Sequence, residues 1–342
     1  MGGMKYGSGD AALDRELRTI LETYAPGDDL MFEMLATVMR MARDPISRLD
    51  RKLANSALKE MRYAFQIFGA YRDTRKVSIF GSARTAKGDP EYEVARDFSK
   101  LIADLGWMVV TGAGPGIMEA GHEGAGGARS FGVNIRLPFE AEPNPVIAGD
   151  PKLINFKYFF TRKLMFMKEA DAFVLLPGGF GTLDEAYELL TLVQTGKSDL
   201  HPIVMLEPEG GTYWKAFDEH LRGELLPRGM IDESDLNLYR CYQRIEDAVK
   251  EIENFYRVYH SQRFVGGTLI LRLNVEPSDS VLRDLSDEFA DALTAPIERA
   301  GPSPAEKRDD DVPDLPRIAI KFHRLHAGRL RLLIDRLNES AT

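Results

Sequence analysis

Apolar residues recur every three to four positions along the first seventy residues, with few turn signals between them. This spacing places apolar side chains on one face of a helix. The pattern therefore predicts an N-terminal helical extension, to which we assign residues 1–72. Its predicted helices are Ala11–Tyr24, Leu30–Arg43 and Ser47–Tyr71.

From Lys76 onward, short apolar runs alternate with amphipathic segments. Strands without polar alternation, each followed by a helix, are typical of a parallel sheet that helices cover on both faces. We therefore expect an α/β domain over residues 73–260. Its predicted strands are Val77–Phe80, Trp107–Thr111, Phe131–Ile135, Ala172–Leu176 and Ile203–Leu206. Its predicted helices are Pro90–Leu105, Gly116–Ala128, Asn155–Ala170, Leu183–Gln194 and Tyr213–Leu226.

The last eighty residues show a third pattern, in which apolar and polar residues alternate within two short runs. Such alternation predicts half-buried strands. A stretch rich in proline and charge, Pro296–Pro316, predicts a loop or linker between them. We expect a small C-terminal α+β module over residues 261–342. Its predicted elements are a strand at Thr268–Val275, a helix at Asp279–Leu293, a strand at Ile318–Phe322 and a helix at Ala327–Asn338.

The composition excludes several classes of function. The formal net charge of −9 argues against a general nucleic-acid surface, so any phosphate site must be a local pocket. The single cysteine, Cys241, excludes an intrachain disulfide and favours a reducing compartment, so we expect a cytoplasmic protein. No run approaches the roughly eighteen apolar residues of a membrane span. The six histidines are scattered and lack the partners of a structural zinc site.

The stretch from Pro177 to Glu185, with the sequence PGGFGTLDE, joins a predicted strand to a predicted helix. Its three glycines let bare backbone N–H groups approach an anion, and the helix dipole favours negative charge at the same place. The carboxylate of Glu185, one turn into the helix, would lie beside that anion. This combination predicts an enzyme that acts on a phosphorylated substrate.

Two more strand ends carry glycine turns, at Gly81–Arg84 and Gly112–Gly116. We expect the three loops to meet, because the carboxyl ends of parallel strands lie at one edge of the sheet, where ligands bind. A turn that binds no ligand remains an alternative for Gly112–Gly116. The dinucleotide fingerprint fails at Ile117, where it needs glycine. A Walker A loop ending at Gly196 would need a glycine where Thr191 stands, so we expect Gly196 to cap a helix.

Together these residues resemble the LOG (Lonely Guy) family, long labelled as lysine decarboxylases. The family motif P-G-G-x-G-T-x-x-E matches Pro177–Glu185, and an Arg-Lys pair with following methionines matches Arg162–Met167. The loop Gly112–Met118 and the Gly81-Ser82 turn match too, so the resemblance covers about residues 75–230. It implies a modified Rossmann sheet, a dimer, and hydrolysis of the N-glycosidic bond of nucleoside 5′-monophosphates to base and ribose 5-phosphate. The extensions at both ends depart from the family and leave substrate choice, regulation and assembly open.

The resemblance implies that Glu185 and Arg162 are catalytic. Cleavage at C1′ develops positive charge and requires a deprotonated water, and both needs suit a carboxylate at Glu185. Arg162 would contact the nucleotide and help the base depart. A capping box formed by Thr182 and Glu185 is an alternative role that can coexist with catalysis.

Lys163 lies in an apolar helical stretch whose polar face we expect to comprise Lys157, Thr161 and Lys168. A lysine on the opposite, apolar face fits a snorkelling side chain poorly, so we expect Lys163 to support the pocket and Arg162 to lie on the flank. Its expected neighbours are Phe156, Phe159, Phe166 and Met167.

The glycines of the Pro177–Glu185 motif should hold the 5′-phosphate. Ser82 and Arg84 could reach the same anion or serve only as turn and surface residues. Met118 could line the ribose or base pocket or belong to the core. The predicted substrate-binding residues are Gly178, Gly179, Gly181, Thr182, Lys163, Ser82, Arg84, Gly114, Gly116 and Met118.

These observations predict a phosphoribohydrolase that needs no cofactor and cleaves purine nucleoside monophosphates, with AMP as the best candidate. Two alternatives remain open: a non-catalytic nucleotide or molybdenum-cofactor carrier, and a nucleotide-sensing regulator. The pairing of Arg162 with Glu185 favours the enzyme, and no residue context implies the pyridoxal phosphate site of a decarboxylase. We expect a homodimer or higher oligomer without nucleic-acid or membrane partners, because the helical N-terminus and the Phe156–Met167 stretch offer surplus apolar surface.

Overall fold

The computed structural model describes residues 6–136, 142–309, 312–322 and 326–340. The chain divides into two compact units, Met1–Arg62 and Tyr63–Thr342. The predicted domain boundaries near residues 72 and 260 remain predictions. Within the described ranges, no helix is both long enough and apolar enough to cross a lipid bilayer.

The first unit is helical, as predicted. Asp10 begins the first helix by accepting hydrogen bonds from the amides of Ala12 and Leu13, which have no acceptor within the helix. Leu17, Leu21 and Phe32 form a small apolar core between the first two helices. The helices are α1 (Ala11–Tyr24), α2 (Asp29–Arg43) and α3 (Arg48–Gly69), and the last of these continues into the second unit.

The second unit is built on a seven-stranded, wholly parallel sheet in the order β4-β3-β2-β1-β5-β6-β7. The chain proceeds outward from β1 in both directions, so the topological switch point lies between β1 and β5. The five predicted strands are confirmed to within one residue at each end. The strands are β1 (Lys76–Phe80), β2 (Met108–Thr111), β3 (Ser130–Ile135), β4 (Leu153–Phe156), β5 (Ala172–Leu175), β6 (Ile203–Leu206) and β7 (Arg240–Tyr242).

Helices flank this sheet, as predicted for a Rossmann-like α/β fold, and the main apolar core lies between the sheet and α4, α5 and α9. Gly196 directly follows Thr195, the C-cap of α7, and its φ of +68° ends the helix, as expected of a glycine at this position. The helices are α4 (Pro90–Asp104), α5 (Ile117–Ala125), α6 (Phe159–Glu169), α7 (Phe180–Gln194), α8 (Tyr213–His220) and α9 (Ile245–Phe255).

One predicted helix begins too early. Residues Asn155 and Phe156 belong to β4, where they pair with Asn134 and Ile135 of β3, and α6 starts only at Phe159. The apolar spacing of this stretch is compatible with either element, and the free sheet edge beside β3 decides in favour of a strand.

The C-terminal module contains a four-stranded antiparallel sheet in the order β10-β11-β9-β8. The predicted loop Pro296–Pro316 is wrong in part, because it contains a strand and a short helix; residues 310–311 lie outside the described residues. Glu306 on that helix is buried and pairs with Arg272 and Arg317, which holds the segment in place. The elements are β8 (Tyr259–Val265), β9 (Thr268–Leu273), α10 (Asp279–Glu288), β10 (Glu298–Ala300), α11 (Pro304–Asp309), β11 (Arg317–Ile320) and α12 (Ala327–Glu339).

Candidate active site

Three glycine-containing loops meet at the carboxyl ends of the adjacent strands β2, β1 and β5. The backbone N–H of Ser82, after β1, donates to the carbonyl of Pro177, after β5, at 3.3 Å. The carbonyl of Ser82 accepts from the N–H of Ile117, after β2, at 3.0 Å. The expected convergence of the loops is therefore confirmed, and the Ser82–Pro177 contact spans the topological switch point.

Close packing of these loops leaves no room for a side chain at several positions, and at Gly178 and Gly116 the obstacle includes backbone. A Cβ atom on Gly178 would lie 2.1 Å from Thr182 Oγ1 and 3.0 Å from the Ser82 nitrogen. Gly116 has φ at +67°, and its Cβ would lie 2.4 Å from the Ser82 carbonyl oxygen. A side chain at either position would push the loops apart. The space beside Gly179 and Gly181 is open.

The N-terminus of α7 presents unpaired amides to this space. Gly179 is the N-cap residue and has no side chain, and no side chain caps the helix. The N–H groups of Phe180, Gly181 and Thr182, in the first turn, therefore have no acceptor within the helix. Together with the helix dipole, they form a site suited to an anion such as a phosphate.

The proposed capping box at this helix is wrong. The helix begins at Phe180, so Thr182 and Glu185 are its third and sixth residues and neither caps it. The hydroxyl oxygen of Thr182 instead packs against Gly178. Glu185 thus has no capping role that would explain its position.

Glu185 is a buried ionisable group of the site. Its side chain lies one turn and a half into α7, the residue is 7 % exposed, and its Oε2 atom has no hydrogen-bond partner within the described part of the chain. Burial raises the pKa of Glu185 to about 7, although the nearby charges of Lys163 and Arg162 oppose the shift. A carboxyl group with this pKa can take up or release a proton near neutral pH, which suits acid–base catalysis.

Arg162 lies over the loop that follows β2. Its Nε atom donates to the Val133 carbonyl at 3.0 Å, and a Cβ on Gly112 would lie 2.5 Å from Arg162 Nη2 and 2.6 Å from Met118 Sδ. The sulfur and methyl of Met118 also border Gly114. The structure thus brings Arg162, Met118 and the glycine loop together, and the charge of Arg162 is close enough to lower the pKa of Glu185.

The helical projection predicted an apolar environment for Lys163, and this prediction is wrong. Its Nζ atom pairs with Asp184 Oδ2 at 2.7 Å and with Glu188 Oε2 at 2.5 Å, both on α7. Although burial opposes the charge, these hydrogen bonds raise the pKa of Lys163.

The predicted faces of α6 are confirmed at Phe166 and Met167, which are buried, and at Lys168, which is exposed. They are wrong at Phe159, which is about half exposed, and at Thr161, which is buried. Phe156, another expected neighbour of Lys163, belongs to β4 and not to this helix.

Ser82 and Arg84 form a turn at the end of β1. The backbone N–H of Arg84 donates to Ser82 Oγ at 3.0 Å, and the side chain of Arg84 is exposed. This contact supports the turn role for Ser82. The structure does not place the Arg84 guanidinium against the other loops.

Two residues that hold the loops have no local sequence signal. Asn144 lies outside the motifs and binds the carbonyls of Ala113 and Gly114 through its side chain. The hydroxyl of Tyr213, at the start of α8, donates to the Gly178 carbonyl at 2.6 Å. Neither position was predicted, because both contacts join segments about thirty residues apart in the chain. Within the described ranges, no group of His, Cys, Asp and Glu side chains could hold a metal ion.

Comparisons with known proteins identify a family. A family model described as "Possible lysine decarboxylase" matches residues 116–252. A cytokinin riboside 5′-monophosphate phosphoribohydrolase of Mycobacterium tuberculosis is 30% identical over 162 residues, which are 46% of this chain and 83% of that protein. A pyrimidine/purine nucleotide 5′-monophosphate nucleosidase of Escherichia coli is 27% identical over 232 residues, which are 61% of this chain and 50% of that protein.

One solved structure, of a molybdenum cofactor binding protein from Rippkaea orientalis, aligns with 53% of this chain and 96% of its own. The identity is 20% and the TM-score 0.39. A similarity of this degree does not distinguish a carrier from an enzyme.

Proposed function

The chain belongs to the LOG family, and we propose that it hydrolyses the N-glycosidic bond of nucleoside 5′-monophosphates. The observation that carries the proposal is the position of Glu185, a buried carboxyl group with a pKa near 7, behind an uncapped helix N-terminus that suits a phosphate. The names of the relatives from Mycobacterium tuberculosis and Escherichia coli support the same reaction.

In this proposal the 5′-phosphate lies at the N-terminus of α7. The free amides of Phe180, Gly181 and Thr182 would bind its oxygens, and the open space beside Gly179 and Gly181 leaves room for it. The phosphate is remote from the scissile bond, and its binding would hold the ribose against the catalytic groups.

Glu185 would act on the water that attacks C1′. The bond from C1′ to the base nitrogen breaks with its electron pair going to the base, and a water oxygen forms the new bond to C1′. Glu185 takes the proton from that water and opposes the positive charge on the sugar, while solvent returns a proton to the base. Arg162, which lies over the loop with Met118, would contact the nucleotide and stabilise the departing base.

We propose that the substrate is a purine nucleoside monophosphate, with AMP as the first candidate. The name of the Escherichia coli relative includes purine nucleotides, which supports this class. The buried, ionisable carboxyl group of Glu185 favours an enzyme over a carrier, since a carrier for an anionic ligand gains nothing from it.

The test compares AMP with adenosine, which has the same scissile bond but no phosphate. Base release is followed by chromatography together with ribose 5-phosphate. We expect kcat/KM for AMP to exceed that for adenosine by about 10²-fold or more, because phosphate binding positions the ribose. Equal turnover of the two compounds would refute the phosphate role of the loop, and no base release from any nucleoside monophosphate would refute the reaction.

We also propose that the protein is a cytoplasmic homodimer. Five large apolar side chains on α6 and α7 are exposed, and the Lys163–Asp184 pair joins these two helices. A second copy that packed on this surface would remove it from water. The exposed side chains are Phe159, Phe160, Leu164, Phe180 and Tyr187.

A further inference from the structure

A loop that binds phosphate through backbone N–H groups must turn its own carbonyl oxygens away from the anion, because both carry negative charge. Two side chains from outside the loops hold such carbonyls here. We propose that Tyr213 and Asn144 are positioning residues: Tyr213 preorganises the phosphate loop at the start of α7, and Asn144 preorganises the adjacent glycine loop that follows β2. The inference rests on the proposed function and deepens it.

Tyr213 holds the loop that follows β5. Its hydroxyl donates to the carbonyl of Gly178 at 2.6 Å, one residue before the N-cap of α7. Since this carbonyl is drawn toward α8, the amides that follow it can face the open side of the loop. The hydroxyl contacts the backbone of the loop, whereas the anion would contact the amides beyond it, so Tyr213 acts through Gly178.

Tyr213 is itself held by a buried carboxylate. Glu207, just after β6, accepts hydrogen bonds from the backbone N–H groups of Tyr213 at 2.8 Å and Trp214 at 3.4 Å. Glu207 is almost fully buried, and through these two hydrogen bonds its carboxylate satisfies amides in the first turn of α8. A chain of contacts from Glu207 through Tyr213 to Gly178 therefore ties the end of β6 to the phosphate loop.

Asn144 holds the loop that follows β2. Its backbone N–H donates to the Ala113 carbonyl at 2.8 Å, and its Nδ2 donates to the carbonyls of Ala113 at 3.1 Å and Gly114 at 3.0 Å. Ala113 has φ at +65°, a conformation that costs free energy for any residue with a side chain. The three hydrogen bonds from Asn144 stabilise this conformation.

His122 is buried and forms a hydrogen bond with the side chain of Asn144. Burial lowers the pKa of His122, so the ring is neutral. Its Nε2 lies 3.0 Å from the Phe131 carbonyl and must donate there, which leaves Nδ1 as an acceptor 3.1 Å from Asn144 Nδ2. The orientation of the Asn144 amide is thereby set, with its nitrogen toward the loop carbonyls.

The decisive test is Tyr213→Phe, which removes one hydroxyl and keeps the ring. The matched control is Tyr239→Phe, since the Tyr239 hydroxyl donates to Asp218 of the same helix and does not contact the loops. We expect Tyr213→Phe to raise KM for AMP about tenfold with kcat changed less than about threefold, because the loss falls on phosphate binding. Turnover of adenosine should stay at the wild-type rate in both variants.

Asn144→Ala tests the second loop, with Asn338→Ala as its control. Asn338 is also a buried asparagine that binds backbone groups, at Phe255, Val258 and Tyr259, but none of these groups belongs to the three loops of the site. Both variants should melt at a lower temperature. We expect only Asn144→Ala to lower kcat/KM for AMP, by about tenfold, because the loop that it holds lies against Arg162 and Met118.

Calorimetric titration with ribose 5-phosphate separates this inference from the proposed reaction, because it requires no turnover. Tenfold weaker binding to Tyr213→Phe than to Tyr239→Phe would support the positioning role even if no nucleotide is cleaved. Equal binding by the two variants, an unchanged AMP-to-adenosine ratio in Tyr213→Phe, or no binding by the wild-type protein would overturn it.

Discussion

Lys163 Nζ lies 2.7 Å from Asp184 Oδ2, and this ion pair joins α6 to α7 at the candidate active site. The residues next to the pair in the chain are Arg162 and Glu185, the two groups to which we assign the chemistry. We therefore expect the pair to influence how closely the guanidinium of Arg162 and the carboxyl group of Glu185 approach each other. The charge of Lys163 is matched by Asp184 and Glu188, which agrees with the supporting role that we propose for it.

The pH dependence of activity should follow Glu185. If Glu185 accepts a proton from water, kcat/KM should rise with pH and level off above about 7. Lys163→Met removes a charge that lowers this pKa and frees two carboxylates that raise it, so the midpoint should move up by about one unit. Lys168→Met is the control, since Lys168 lies on the same helix and pairs with Glu169. An equal shift in both variants would contradict this role of Lys163.

Glu185→Gln should abolish catalysis without abolishing binding. Glutamine has nearly the same shape but cannot take the proton of water or oppose positive charge, so kcat should fall by about 10²-fold or more. The affinity for AMP, measured by calorimetry, should change far less because the amides of α7 are intact. Glu246→Gln, at an exposed position of α9, is the control. Near-normal turnover by Glu185→Gln would remove Glu185 from the mechanism.

The same variant should change the stability of the protein with pH. The pKa of Glu185 is raised in the folded state, so its carboxyl group binds a proton more tightly there than in the unfolded chain. The stability that this proton provides is fully present below the ordinary pKa and is lost as pH rises through about 7. Glu185→Gln should therefore be more stable than wild type at pH 8 by roughly 1–3 kcal/mol, with little difference near pH 4. Denaturant unfolding at both pH values measures this, and a parallel pH dependence of the two proteins would contradict it.

Gly178→Ala should disrupt the phosphate loop. The new Cβ would meet Thr182 Oγ1 at 2.1 Å and the Ser82 backbone at 3.0 Å, and backbone cannot move aside cheaply. We expect a loss of about 1–3 kcal/mol in unfolding free energy and at least a tenfold weaker affinity for ribose 5-phosphate. Gly223→Ala, where the space around the Cβ is open, should leave both unchanged. Wild-type phosphate affinity in Gly178→Ala would show that the loop packing is not needed.

The proposed dimer should depend on the exposed side chains of α6. Phe160→Asp places a charge on an apolar surface that is half exposed in the single chain, and burial of that charge in an interface is costly. Light scattering at micromolar concentration should give a dimer for wild type and a monomer for the variant. Leu105→Asp, also at a half-exposed apolar position but at the end of α4, should remain dimeric. A monomeric wild-type protein would refute the assembly.

The local pattern of the sequence was enough for most elements and for the loops that carry the chemistry. The helices of the first unit, the strands β1, β2, β3, β5 and β6 and the motif from Pro177 to Glu185 all lie where apolar spacing and glycine placement put them. These signals are local, because a repeat of two or 3.6 residues and a glycine after a strand reflect backbone geometry over a few residues. The family followed from the same motif.

The edge strands of the sheet were harder to predict from the sequence. The strand Leu153–Phe156 and the strand Arg240–Tyr242 lie at opposite edges of the sheet, and each forms because a neighbouring strand offers an unpaired edge. The sequence of either segment has no strong preference for a strand. Hydrogen bonding to a distant partner decides such cases, and that partner is not visible in a local window.

The tertiary structure alone decided how the site is held. Lys163 pairs with two carboxylates of α7 and does not lie in the expected apolar environment. Asn144 and Tyr213 bind loop carbonyls about thirty residues away in the chain. The burial that raises the pKa of Glu185 likewise depends on how the loops and helices pack around it. The sequence by itself determined which backbone groups and side chains were available for the chemistry. Their orientation and proton affinity depend on contacts between distant segments, and these contacts exist only once the sheet order brings the segments together.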